Sequence, residues 1–129
     1  MKKILLLLLI PLLLATQCDD EIDNSGFETD YLLQNNSSFD LFLLTEEDVF
    51  IDIESQSTQS IGNSLNSITS SIAPSESNVF SNIKLFKMEN SNFILAYEQT
   101  PIDDDLWVFN EPSVNRYKFT LIITDELID

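Results

Sequence analysis

No histidine occurs anywhere in the 129 residues, and Cys18 is the only cysteine. Without an imidazole, a Ser-His-Asp or Cys-His relay cannot be assembled. The usual zinc sites are excluded with it, because one thiol and no imidazole leave them short of ligands. Glycine is almost as scarce, with Gly26 and Gly62 as the whole complement. Neither a Gly-rich phosphate loop nor a dinucleotide fingerprint is present. Positive charge is the next shortage: six Lys and Arg stand against 22 Asp and Glu, for a net charge of −16. A nucleic-acid surface needs clustered cations to displace the counterions of phosphates, so nucleic acid is excluded as a partner.

The chain also lacks an apolar run long enough to span a bilayer. Ile4 to Leu14 is all Ile and Leu apart from Pro11, but a spanning helix needs about 20 residues. Lys2 and Lys3 precede the run, and Ala15-Thr16-Gln17 follows it. That order of charged, apolar and polar regions is the layout of a secretory signal peptide. Leu14-Ala15-Thr16-Gln17-Cys18 resembles a lipobox, the site where a signal peptidase cuts before a lipid-modified cysteine. Gln17 departs from the small residue usual at that position. Relaxed boxes ending in Gln-Cys before acidic residues are similar to those of Bacteroidota lipoproteins, flavobacterial ones in particular. Asp19-Asp20-Glu21 resembles the acidic signal that sends such proteins to the outer face of the outer membrane.

The resemblance implies removal of residues 1–17, lipidation of Cys18, and a membrane partner reached through that lipid. It addresses location only; the remainder resembles no family of known activity. The alternatives are a cleaved signal that leaves Cys18 as a free thiol, or an N-terminal membrane anchor. An unpaired thiol in an oxidising compartment needs an explanation, and lipidation supplies one.

Cutting before Cys18 removes Lys2 and Lys3 but none of the 22 acids, so the charge moves from −16 to −18. Residues 18–29 are acidic and polar and are expected to form a flexible tether. Residues 30–129 fit a single domain. Nine phenylalanines and an aromatic content of 10% separate this chain from acidic disordered sequences.

The period of two dominates. Val49, Ile51 and Ile53 alternate with Phe50, Asp52 and Glu54; Tyr117, Phe119, Leu121 and Ile123 alternate with Lys118, Thr120, Ile122 and Thr124. Further strands are expected at Tyr31 to Gln34, Phe39 to Leu44, Ser57 to Ile61, Leu65 to Ile72, Phe80 to Met88, Phe93 to Glu98 and Leu106 to Phe109. Glu46-Glu47-Asp48 and Glu89-Asn90-Ser91-Asn92 read as hairpin tips, with Asn and Asp standing in for glycine. Pro74, Pro101 and Pro112 are placed in connections. Ser55 to Ser81 stays open between an edge strand with a long loop and a helix carrying Ile61, Leu65, Ile68 and Ile72 on one stripe. Gly62-Asn63 is expected to break this stretch. The pattern predicts an all-β antiparallel sandwich, with an immunoglobulin-like Greek key as the first choice.

Chemistry is sparse. Paired carboxylates could serve a small hydrolase acting on glycans, but 22 acids will place some pair at a suitable distance by chance. Asp103, Asp104 and Asp105 form the densest acidic cluster and are the one candidate for Ca²⁺, without the spacing of a dedicated loop. A solvated turn is the favoured reading, and no metal or other cofactor is expected. Trp107 is expected in the core; the alternative is an exposed Trp107 with Tyr97 or Tyr117, stacking on a sugar. The sequence therefore points to a non-enzymatic, surface-anchored module for another envelope protein or a glycan, with a carboxylate hydrolase as the alternative.

Overall fold

The computed structural model describes residues 26–66 and 70–128. Cys18, Asp19, Asp20 and Glu21 lie outside them. Eight strands form two four-stranded sheets: β1 (Phe27–Asn35), β2 (Leu41–Leu44), β3 (Phe50–Ile53), β4 (Ser57–Asn66), β5 (Ile83–Glu89), β6 (Asn92–Gln99), β7 (Trp107–Ser113) and β8 (Arg116–Ile123). One sheet has the order β4-β1-β8-β7 and the other β3-β2-β5-β6. The all-β sandwich expected from the period of two is the fold.

Strand order departs in detail from the immunoglobulin arrangement, whose first strand lies at an edge. Here β1 is interior, pairing antiparallel with β4 and parallel with β8. All other pairings are antiparallel. Residues 27–29, expected in the tether, belong to the fold: Phe27 opens β1 and Thr29 is buried within it.

Alternation builds the core. Tyr31 and Leu33 of β1, Leu41 and Leu43 of β2, Ile83 and Leu85 of β5, and Phe119, Leu121 and Ile123 of β8 all turn inward. Two bulges add residues that strict alternation would not place. Ile61 is the extra residue of β4 opposite the step from Tyr31 to Leu32, and Ala96 is the extra residue of β6 opposite the step from Leu85 to Phe86. Both are buried. Such insertions re-aim a side chain at the cost of one ladder position.

Within the open stretch 55–81 the described residues form an edge strand and, from Ser70, a loop. Leu65 and Asn66 continue the strand begun at Ser57, and 70–72 are outside it, so the separate strand expected at Leu65 to Ile72 is not formed. β4 runs straight through Gly62, and Pro74–Glu76 forms one 3-10 turn in the loop that follows. Gly62 is therefore no break. It is where Val79 of the returning loop abuts the strand, and a Cβ built there would lie 2.2 Å from Val79 Cγ1. Pro112 also differs from expectation: it lies inside β7, an edge strand, at an irregularity between Asn110 and Ser113. An edge position beside a register shift tolerates the missing donor.

The two acidic tips close as expected. Thr45 N–H donates to Val49 O at 2.9 Å around Glu46-Glu47-Asp48. Asn90 and Ser91 both take positive φ, 49° and 66°, in the two-residue turn from β5 to β6. That handedness matches the twist of a hairpin.

The last strand offers a direct check of register. Phe119→Ala should cost about 3–5 kcal/mol, as large-to-small aromatic changes in cores do. Thr120 faces outward, although half-buried between Leu32 and Val108 rather than free in solvent. Thr120→Ala should stay within about 0.5 kcal/mol. Urea melts of the two variants measure the contrast.

Candidate binding surface

Phe42 and Phe86 are cross-strand partners on the face of the β3-β2-β5-β6 sheet turned away from the core. Leu41, Leu43 and Leu85 point inward on either side of them, so strand periodicity sends both rings outward. Phe50 of β3 and Phe93 of β6 join them from the opposite edges of the sheet. Their centroids lie 4.6 Å apart with planes inclined by 15°, so the two rings stack over the intervening β2 and β5. Phe42 meets Phe93 edge-on at 5.1 Å, and Phe50 meets Phe86 edge-on at 5.6 Å. Offset-stacked and edge-to-face geometries are the favourable ones for aromatic pairs. Four rings thus pack on one another on the solvent side. Phe50 remains 39% and Phe93 45% exposed, beside exposed Met88 and Leu95.

The surroundings of this patch are acidic. Glu46, Glu47, Asp48, Asp52 and Glu54 come from β2, β3 and their connections, and Glu89 and Glu98 from β5 and β6. Lys84 and Lys87 are the cations of these elements. Lys87 points inward, with Nζ 3.0 Å from Glu89 and 5.0 Å from the centroid of the Phe39 ring. Individual apolar residues on a surface are ordinary, but a contiguous patch with a polar rim marks a place where something docks.

The expected site residues are dispersed. Asp103 Oδ1 accepts from Asp105 N–H at 3.1 Å, capping the 3-10 turn Asp104–Leu106. Asp104 turns away and accepts from the backbone N–H and the hydroxyl of Ser75, at 2.8 and 2.5 Å. The carboxylates of Asp103 and Asp104 are thus committed to two different local structures. Among the described residues, no three or more His, Cys, Asp or Glu side chains gather as a metal site.

Trp107 is core, stacked on Phe80 at 5.6 Å and edge-on to Tyr31 at 6.5 Å. Its indole N–H donates to Gln99 Oε1 at 3.3 Å, and Gln99 Nε2 donates to Tyr97 Oη at 2.6 Å. Tyr117 stacks on Phe109. The three aromatics considered for sugar stacking therefore do not share an exposed platform.

A cleft of about 180 Å³ lies between the β2–β3 tip and the loop before β5, and Glu46, Asp48 and Lys84 line it. Sites for small ligands usually measure about 300–1,000 Å³. Glu46 Oε1 accepts from the hydroxyl of Ser81 at 2.6 Å and from its N–H at 2.9 Å. Those bonds hold its carboxyl below the ordinary range. Asp125 is likewise lowered, by the backbone N–H of Ser38 first and its hydroxyl second. Both are exposed carboxylates that staple one loop to another.

No family model matches the chain, and neither a curated protein nor a solved structure does. Functional reasoning therefore rests on the surfaces themselves.

On the other sheet, Asp30 carries a raised pKa, from burial first and the neighbouring Glu28 second, partly offset by Lys118 and Arg116. A raised folded-state pKa means that the ionised form opposes folding. The penalty is present above the folded pKa and vanishes below the unfolded one. Asp30→Asn should therefore raise Tm at pH 7, and the gain should disappear as the pH falls below about 4. Melting curves of both proteins from pH 3 to 7 measure it.

Proposed function

We propose that this chain is a lipid-anchored, non-enzymatic module of the outer membrane, exposed at the cell surface, that docks another envelope protein. The four-phenylalanine patch on the outer face of the β3-β2-β5-β6 sheet carries the docking part of this reading. A hydrolase needs a cleft where two acids converge on a substrate. In the cleft beside Glu46 that carboxylate is already committed to Ser81, and the volume is small. A sugar site would pair an exposed ring with hydrogen-bonding groups, whereas this patch is phenylalanine, leucine and methionine.

The anchor rests on Cys18 and the segment before it. Asp19, Asp20 and Glu21 supply the surface-export signal. Acyl chains contribute about 0.8 kcal/mol per buried methylene, and more than one chain is needed for stable attachment. Cys18→Ser should move the protein from the membrane fraction to the soluble one, and unchanged fractionation would remove the lipid from this account. For docking, a photoreactive phenylalanine analogue at Phe50 should give a discrete crosslinked product in intact cells. The same analogue at Gln59, on the polar β4 edge, should give none. Equal crosslinking at both positions would show that the patch has no privileged role.

A further inference from the structure

Each sheet of the sandwich ends in two edge strands whose outer backbone groups have no ladder partner among the described residues. Three of the four edges are blunted. β3 is four residues long and carries Asp52, with Asp48 and Glu54 just beyond its ends. β4 is polar and bulged at Ile61. β7 holds Glu111 and Pro112 at an irregularity.

β6 is different. Phe93, Ile94 and Leu95 follow one another on this edge, and all three are exposed. Neither proline nor a cation interrupts the strand, and Glu98 is its one charge. Its bulge at Ala96 lies beyond that run, so Asn92 to Leu95 keeps regular pairing with Phe86 to Glu89 up to the hairpin turn. Three consecutive exposed apolar residues on an unprotected edge form the template for strand addition.

We infer that the free edge of β6 takes up an extended, cationic segment of another polypeptide as a fifth strand of the β3-β2-β5-β6 sheet. This rests on the reading of the outer face as a docking surface and deepens it by naming the partner's conformation and charge. Backbone hydrogen bonds to β6 supply attachment. Apolar side chains of the incoming strand, on the outer side, lie against Phe93 and Leu95, continuous with the phenylalanine patch.

Charge decides between occupants. Eight acids, Asp40 beside β2 included, against two lysines come from the strands and turns of this sheet and their immediate flanks, and the chain as a whole carries −16. A second copy would bring the same excess to the same edge, and like charges facing across a pair of strands are destabilising. A lysine- or arginine-bearing strand meets the opposite sign.

The test uses the purified full chain and a blocked octapeptide of alternating lysine and valine. Saturable binding is expected, with amide exchange slowed across Asn92–Gln99 and unchanged across Ser57–Asn66. N-methylation of every backbone nitrogen should weaken binding at least tenfold, because neither edge of the peptide can then donate. Replacing its lysines by glutamates should abolish binding. Equal affinity of the N-methylated or glutamate peptide would overturn the inference. So would protection confined to another strand, or a dimer in sedimentation with β6 already protected in the absence of peptide. If the peptide fails while crosslinking at Phe50 persists in cells, strand addition is wrong and the docking face stands. If crosslinking fails while β6 is protected by the peptide, the reverse holds.

Discussion

Tyr31→Ala should lower the unfolding free energy by about 3–5 kcal/mol, the range for removing a large aromatic from a core. The ring is fully buried, and three others surround it: Phe80 edge-on at 5.2 Å, Trp107 edge-on at 6.5 Å and Phe119 stacked at 6.3 Å. Its hydroxyl donates to Ile72 O at 2.9 Å, which ties the loop after β4 to the base of the core. Ile72 N–H in turn donates to the Thr29 hydroxyl at 3.1 Å. Tyr31→Phe keeps the packing and loses the tie, so about 1 kcal/mol is expected for it. Domains hold together by about 5–15 kcal/mol in total, so the alanine variant should approach loss of folding. Urea denaturation followed by tryptophan fluorescence measures both, because Trp107 belongs to the same cluster.

Asn35 is the second position of large effect. It is fully buried at the end of β1, and every polar atom of its side chain is used. Nδ2 donates to Phe39 O at 2.8 Å and to Ile53 O at 3.0 Å, clamping the start of β2 to the end of β3. Oδ1 accepts from the N–H and the hydroxyl of Ser37 at 3.0 and 2.6 Å. Asn35→Leu strands these partners in a dry site, and each buried group left unsatisfied costs about 1–3 kcal/mol. A loss of at least about 3 kcal/mol is expected. Asn35→Asp places a carboxylate against two carbonyl oxygens, and that variant should regain part of its stability as the pH falls and the acid protonates. A cost below 1 kcal/mol for Asn35→Leu in thermal melts would mean that the clamp is not what joins the two sheets there.

The strands were legible wherever burial imposes alternation on one face only. Tyr117 to Ile123 is the clearest case, since Phe119, Leu121 and Ile123 enter the core while Tyr117 stays half-buried against Phe109, and β8 runs very nearly where the pattern predicts. The bulges at Ile61 and Ala96 were not legible, because an inserted residue obeys the packing of the opposite sheet rather than a local period. β4 was legible only in part: Ser57 to Ile61 reads as strand, but the serine and asparagine that follow leave the stretch open to a loop or a helix. Gly62 signals a break locally, yet the decisive contact is with Val79, seventeen residues further along. Asp103-Asp104-Asp105 looked like a cluster only along the chain, since Ser75 draws Asp104 aside. The phenylalanine patch was hidden for a related reason. Phe42, Phe50, Phe86 and Phe93 are each ordinary strand residues, and only the strand order reveals that they share the outward face.

The parallel pairing of β1 with β8 also bears on how the chain must reach this state. Glu28 sits opposite Arg116, and Asn35 opposite Ile123, so the first described strand is completed by the last. Hairpins such as β5–β6 close over a two-residue turn, but this seam must wait for nearly ninety residues to be in place. Closing so long a loop is entropically costly before any contact rewards it, and folds rich in such non-local pairs fold in about milliseconds to seconds. Until β8 arrives, β1 presents an open edge and Tyr31 lacks one of its walls. Fragments ending before Arg116 should therefore remain unfolded however many hairpins they contain, and commitment to the native state comes only when β1 and β8 meet.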